Sequence, residues 1–162
     1  MLSGLFGFAI GYSLRLNLEY SHFVIANWEY EPMVVVCPDS EVSAYRINRA
    51  IEWWGIRGYR INGYHHDIDN KICGIGNFVE GIIFIRADDR ELDPEFYAVT
   101  SRQTSLEKML SASITLPNKN KNLHRLLEHE LGHALGLGHV DVNGHMMHPI
   151  LEQGGERFWI PD

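Results

Sequence analysis

The sequence predicts a single α+β domain in which a five-stranded sheet packs against two helices. Five short apolar runs are bounded by turn-forming residues, as strands usually are. The stretch after the first run has apolar residues at helical period, and a later helical stretch carries a cluster of histidines. The length of 162 residues and the hydrophobic content of 45% suit one domain with its own core.

The first predicted strand covers residues 33–37, an apolar and β-branched run that ends at Pro38. A helix is predicted over residues 41–54, because apolar side chains recur there at helical period until Gly55. Its apolar stripe is expected to cover the sheet. The other four strands are predicted at residues 59–64, 81–86, 96–101 and 111–116, and the second helix is predicted to begin near residue 122.

The two ends of the chain are predicted to lie outside this arrangement. Residues 1–32 are assigned to an N-terminal extension and residues 33–162 to the main domain. Residues 1–11 are apolar and glycine-rich but make a poor signal peptide, and the stretch is too short to cross a bilayer. Residues 12–20 alternate between apolar and polar, which predicts a strand that pairs with the sheet or docks onto a larger assembly. Residues 151–162 allow a short helix at most, which Gly154 and Gly155 interrupt. Phe158, Trp159 and Ile160 are therefore expected to pack as an extended tail against the core.

Residues 129–139 contain three histidines and a glutamate at a spacing that suits one metal ion. His129 and His133 are four residues apart, so a helix places both imidazoles on the same face. Gly136 can take a left-handed conformation without a steric clash, and a turn there would bring His139 back towards the other two histidines. Three histidines leave the fourth position of a tetrahedral Zn²⁺ open to water, as in catalytic zinc sites.

Glu130 lies next to a metal ligand rather than on the ligand face, which is the position of a general base. It is predicted to take a proton from zinc-activated water and to pass it to a leaving amine, which suits peptide hydrolysis. One alternative is an ordinary core helix with incidental histidines, but so many residues at fixed offsets disfavour it. Another is a purely structural zinc site, which would normally fill its fourth position with Cys or His.

The pattern His-Glu-x-x-His-x-x-Gly-x-x-His, followed by a methionine turn, resembles the metzincin zinc endopeptidases. The turn sequence Met147-His148-Pro149 resembles the matrixin form. The resemblance is specific over residues 121–151 and implies a zincin catalytic domain, with a twisted mixed five-stranded sheet, a backing helix and an active-site helix. It also implies that Met147 lies beneath the zinc, with Met146 as the competing residue. Val140, which follows the third histidine, fits no common subfamily.

The same resemblance implies that the fourth strand is an antiparallel edge over the active-site cleft. An extended peptide could add to this edge through backbone hydrogen bonds; a plain sheet edge is the alternative explanation. A wall of the specificity pocket is implied after the methionine turn. The residues concerned are Tyr97, Ala98, Val99 and Thr100 at the edge, and Pro149, Ile150 and Leu151 at the wall.

Further ion sites and the cysteines give weaker signals. His65 and Asp67 match the His-x-Asp pair of a second, structural zinc site in matrixins, although a solvated loop is the simpler explanation. The acidic residues within 88–93 offer ligands for Ca²⁺ without the spacing of a dedicated loop, so an exposed turn is favoured. Cys37 and Cys73 allow a disulfide, two buried thiols or one reactive thiol, and two free buried thiols are favoured.

These observations predict a zinc-dependent endopeptidase with one catalytic Zn²⁺ and a protein or peptide substrate. The net charge of −7 argues against a nucleic-acid partner, and no transmembrane span is expected. Two alternatives stay open: a catalytically silent, zinc-stabilised component of a larger assembly such as a virion, with the partner bound through residues 1–32, and an amidase acting on cell-wall peptides. An extracellular or virion-associated location is favoured, without a clear signal peptide.

Overall fold

The computed structural model describes residues 23–76, 78–87, 97–117 and 119–161 of the chain. Within these ranges six strands form one sheet beside two α-helices. Neither helix has the length and apolar character needed to cross a lipid bilayer. The strand predicted at residues 12–20 and the acidic run at residues 88–93 lie outside the described residues.

The strands are β1 (Asn27–Trp28), β2 (Met33–Val36), β3 (Tyr64–His66), β4 (Ile82–Ala87), β5 (Val99–Ser105) and β6 (Lys108–Leu116). Together they form a mixed sheet, as the family resemblance implies, but the described residues contain six strands instead of the predicted five, because β1 comes from residues assigned to the N-terminal extension. Its strand order is β1-β6-β4-β2-β3, and β5 also pairs with β6. All pairs are parallel except β5 with β6, so β5 is an antiparallel edge strand among the described residues. The helices are α1 (Ala44–Gly55) and α2 (Leu126–Ala134).

Both helices begin later than the sequence predicts. Helix α1 starts at Ala44 because Pro38–Ser40 form a separate short turn and Ser43 caps the helix, its hydroxyl accepting the N–H of Arg46 at 3.4 Å. Helix α2 starts at Leu126 because the preceding Arg125 has a left-handed backbone with φ of 66°, which interrupts helical hydrogen bonding.

Strand β3 lies at Tyr64–His66, whereas the prediction placed it at residues 59–64. Gly63 has a φ of 71°, so extended pairing with β2 begins only after it. The side chains of Tyr59 and Ile61 pack against the core without joining the sheet. Their apolar pattern therefore indicates burial correctly but not strand pairing.

Strands β5 and β6 form a tight hairpin and are longer than predicted. The two residues between them, Leu106 and Glu107, have φ values of 49° and 64°. Positive φ at both central positions is typical of the two-residue turns that match the twist of paired strands. Such turns usually contain Gly or Asn, and neither is present here. The prediction therefore ended the fourth strand at residue 101 and began the fifth at residue 111.

Helix α1 holds α2 in place through polar as well as apolar contacts. The fully buried Trp54 donates its indole N–H to the carbonyl of Glu128 at 2.8 Å. Arg46 donates to the carbonyls of Lys121 at 2.6 Å and Leu123 at 2.9 Å, which fixes the segment leading into α2. These bonds set the position of α2 against the sheet.

The opposite face of the sheet carries a smaller core that contains a disulfide. Cys37 follows β2 and is bonded to Cys73, with their Cα atoms 5.8 Å apart. The prediction of two free thiols was therefore wrong. Asp67 explains the approach, because its carboxylate accepts the N–H groups of Lys71, Ile72 and Cys73 and so curls the loop back towards β2. This loop interaction is not visible in the spacing of the cysteines.

The chain continues past α2 without a further helix in residues 135–161. Phe158 packs edge-on against Trp54 and Tyr59, as the extended-tail prediction requires. Trp159 and Ile160 are instead exposed.

Replacing both cysteines with serine (Cys37→Ser with Cys73→Ser) is expected to lower the free energy of unfolding by about 3 to 4 kcal/mol, because a bond between residues 36 positions apart restricts the unfolded chain. Urea unfolding of the wild type and the double variant measures the difference. A reducing agent should lower the midpoint of the wild type and leave that of the double variant unchanged. A wild type whose midpoint does not respond to the reducing agent contradicts the crosslink.

Candidate metal centre

Three histidine rings converge at the C-terminal end of α2. The Nε2 atom of His133 lies 3.1 Å from that of His129 and 3.0 Å from that of His139. In a tetrahedral zinc site with bonds of about 2.0–2.1 Å, ligand nitrogens are about 3.3 Å apart. The three nitrogens therefore fit around a single metal ion, and the sequence prediction that His139 returns to the other two is confirmed.

The turn that returns His139 is a Schellman motif centred on Gly136. Helix α2 ends at Ala134, and Gly136 has a φ of 96°. Its N–H donates to the carbonyl of His133 at 3.0 Å, and the N–H of Leu137 donates to that of Gly132 at 3.0 Å. The last carbonyls of the helix are thereby satisfied, and the chain reverses towards the metal site.

Residues 23–28 pack directly along this turn. The N–H of Ile25 donates to the carbonyl of Gly136 at 2.8 Å, and the N–H of Gly138 donates to the carbonyl of Phe23 at 2.7 Å. Trp28 adds an indole bond to the carbonyl of Ala134 at 2.9 Å. The sequence prediction treated these residues as part of an extension and missed the contact. The pair of glycines at 136 and 138 was the available signal, since closely approaching backbones favour glycine.

Backbone carbonyls orient two of the three rings. The Nδ1 atom of His129 lies 2.8 Å from the carbonyl of Met146, and that of His133 lies 2.9 Å from the carbonyl of Leu137. A ring that donates from Nδ1 leaves Nε2 bare for a metal, which is the usual outer support of a metal-binding histidine. Burial lowers the pKa of His133 well below its ordinary value, and the neighbouring rings of His129 and His139 add to this effect. The ring is therefore neutral at neutral pH.

Glu130 is buried beside these rings and is held from the edge strand. The hydroxyl of Thr100 in β5 donates to Oε2 of Glu130 at 2.5 Å. Burial raises the pKa of Glu130, while the nearby His129 and the bond from Thr100 oppose that rise. A carboxylate with a raised pKa holds a proton more readily than an exposed one, which suits a general base.

Met147 is fully buried and packs against α2. A Cβ atom added at Gly132 would lie within 3.0 Å of the Met147 side chain, so this glycine lets the methionine turn approach the helix. Met146, the competing residue, supplies the carbonyl that binds His129. The role of Met147 as a floor under a bound ion stays a prediction.

His145 fixes the shape of the methionine turn, and sequence reasoning gave it no role. The ring is fully buried. Its Nδ1 accepts the N–H of Met147 at 3.0 Å, and its Nε2 donates to the carbonyl of Trp159 at 3.0 Å. Burial lowers the pKa of His145, which favours the neutral ring that this pairing requires. Its partners come from two different loops, so no local pattern pointed to it.

The residues predicted to bind substrate lie on two segments near the cluster. Val99 and Thr100 belong to β5, and Tyr97 and Ala98 immediately precede it. Pro149 and Ile150 are exposed after the methionine turn, and Leu151 is partly buried against the core. The hydroxyl of Tyr97 donates to Glu152 at 2.6 Å and so links the two segments. Their roles towards a substrate stay predictions.

The proposed second ion site at His65 and Asp67 gains no third ligand in the part of the chain that the structure describes. Both carboxylate oxygens of Asp67 already accept backbone N–H groups in its loop. These donors lower the pKa of Asp67 even though burial alone would raise it. This second site stays a prediction.

A family model described as matrixin matches residues 42–161, well over half of the chain. No curated protein and no solved structure matches the sequence. The matched range includes the whole histidine cluster and the methionine turn, while residues 23–28 lie before it.

The substitution Gly136→Ala is expected to weaken metal binding at least about tenfold and to lower the unfolding temperature. The new Cβ would overlap the carbonyl oxygen of Ala26, and alanine also disfavours the left-handed backbone. Zinc competition against a chelating dye measures the affinity.

Gly58→Ala is the matched control for Gly136→Ala. Gly58 also has a left-handed backbone, with a φ of 89°, but a Cβ there meets nothing within 4 Å. It should lower stability by about 1 to 2 kcal/mol and leave zinc affinity unchanged. Equal zinc affinities of the Gly136→Ala variant and the wild type would disprove the steric role of this turn.

Proposed function

The chain belongs to the matrixin family, and on that basis we propose that it is a zinc-dependent endopeptidase that cleaves protein or peptide substrates. The observation that carries the proposal is the convergence of three histidine Nε2 atoms beside a buried glutamate. A structural ion would need no such glutamate, whereas hydrolysis requires a group that accepts a proton from water.

His129, His133 and His139 would hold the ion, and three imidazole nitrogens with an open fourth position are a usual ligand set of catalytic zinc. When bound, zinc supplies a Lewis acid that makes water a stronger acid and polarises a carbonyl group. The protein supports this chemistry by keeping the rings oriented through the carbonyls of Met146 and Leu137.

Glu130 acts as the general base in this proposal. Its Oε2 accepts the hydroxyl of Thr100, so Oε1 is the oxygen that we assign to the water. This oxygen would accept a proton from water and later deliver it to the nitrogen of the leaving amine. No covalent bond to the enzyme is needed, which agrees with a site built from histidines and a carboxylate.

The edge strand β5 supports recognition of an extended peptide. Among the described residues β5 pairs only with β6, so the backbone groups on its other side would be available to a further strand. Thr100 on this strand contacts Glu130, which brings the strand next to the reacting groups. The segment from Pro149 onward offers a second wall, tied to the edge through Tyr97 and Glu152.

The substitution Glu130→Gln is expected to keep zinc and to lower kcat by at least about 100-fold, because the amide cannot accept the proton. The measurements are zinc content per protein and cleavage of a degenerate peptide library followed by mass spectrometry. A chelator should abolish wild-type cleavage, and added zinc should restore it.

Two histidine variants form a matched control for this experiment. His139→Ala should lose both zinc and cleavage, whereas His124→Ala should keep both, because His124 is exposed and lies outside the cluster. A wild type that holds zinc and cleaves nothing in the library would show a zinc-stabilised scaffold instead. Cleavage confined to cell-wall peptides would replace the endopeptidase with an amidase.

A further inference from the structure

We propose that the side chain of Thr100 is a positioning residue that orients the carboxylate of Glu130 for proton transfer. The inference rests on the proposed function and deepens it. It differs from the expectation that Thr100 binds substrate through its backbone, because here the side chain acts on the base and leaves the backbone free.

The contact between Thr100 and Glu130 has the geometry of a strong hydrogen bond. The Thr100 Oγ1 atom lies 2.5 Å from Oε2 of Glu130 and 3.3 Å from the backbone carbonyl oxygen of the same residue. A hydroxyl has one proton to donate, and the shorter contact takes it. Hydrogen bonds from a hydroxyl to a carboxylate are typically about 2.5–2.7 Å long and about twice as strong as neutral ones.

Strand β5 fixes the position of the Thr100 hydroxyl. Thr100 pairs with Ile114 in β6, and its side chain points towards α2. Two residues further along the same face of β5, Arg102 donates to the carbonyl of Leu137 at 3.3 Å, so the strand contacts the active helix and its following turn. Threonine is branched at Cβ, which restricts its side-chain rotation and holds the hydroxyl on Glu130.

The bond leaves the two carboxylate oxygens with different tasks. Oε2 accepts the hydroxyl of Thr100, which prevents free rotation of the carboxylate, and Oε1 is kept for the water. Glu130 is buried, so a lost donor would leave a charged oxygen without a partner in a poorly solvated place. A misoriented carboxylate would slow proton transfer. In this proposal the backbone of β5 binds the substrate, and the side chain of Thr100 orients Glu130.

The test compares Thr100→Val with Thr100→Ser in the zinc-loaded protein. Valine keeps the branched shape and removes the donor, so kcat should fall about 10- to 100-fold, the equivalent of a hydrogen bond to a charged group. KM should stay within about twofold, because the backbone that faces the substrate is unchanged, and zinc content should not change. Serine restores the hydroxyl and should recover kcat to within about threefold of the wild type.

Thr115→Val is the matched control, because Thr115 lies in β6 between Ile114 and Leu116, which face the larger core, so its own side chain lies on the opposite face of the sheet from α2. It should leave kcat and KM unchanged. An unchanged kcat in Thr100→Val would overturn the proposal. A rise in KM at constant kcat would also overturn it, since the hydroxyl would then contact the substrate. If the valine variant fails to fold, the serine variant must exceed Thr100→Ala in kcat, and equal values would refute the role.

A second readout needs neither zinc nor turnover. In the metal-free protein, Thr100→Val should lower the unfolding temperature more in the wild type than in a Glu130→Ala background, because the bond exists only in the former. Equal shifts would contradict the bond. The two proposals fail differently: an inactive wild type refutes the peptidase, whereas an active wild type, an inactive Glu130→Gln and a fully active Thr100→Val refute only the positioning role.

Discussion

The left-handed turn at Gly136 is the constraint on which the histidine cluster depends. A helix supplies two histidines on one face, but no continuation of that helix could return a third one to them. The Schellman bonds end the helix without leaving its carbonyls unsatisfied, and the reversal brings His139 to within 3.0 Å of His133. The absent side chain of Gly136 also makes room for the carbonyl of Ala26. Gly136 therefore determines where α2 ends, where His139 lies and how closely Ala26 can approach.

The orientation of the histidine rings depends on loops more than on the helix. The helix fixes where His129 and His133 begin, but the directions of their rings are set by carbonyl groups of Met146 and Leu137. The buried ring of His145 in turn fixes the methionine turn. Each of these carbonyls belongs to backbone that is itself held by hydrogen bonds. A substitution in the loops that carry these carbonyl groups would therefore disturb the orientation of the histidine rings more than it disturbed the fold.

The sequence predicted what depends on local spacing and missed what depends on contacts between distant segments. The histidine positions and the role of Gly136 follow from helical periodicity and from backbone sterics, so they were accessible. The hairpin turn at Leu106 has no glycine or asparagine to mark it, so the strand ends were misplaced. The disulfide of Cys37 and the place of Thr100 depend on loop folding and on strand register. Loop folding and strand register cannot be deduced from the sequence spacing of these residues.

Residues 23–28 pack on the turn at Gly136, so the order of this segment and the affinity of the histidine cluster for an ion would be thermodynamically coupled. If an ordered segment improves the site's affinity for an ion, the ion improves the order of the segment by the same factor. The bonds of Ile25 and Trp28 to the turn are the physical route of this exchange. A force or a binding partner that displaced residues 23–28 from the turn would change the occupancy of an ion at the histidine cluster. Loss of the ion would in turn reduce the order of residues 23–28.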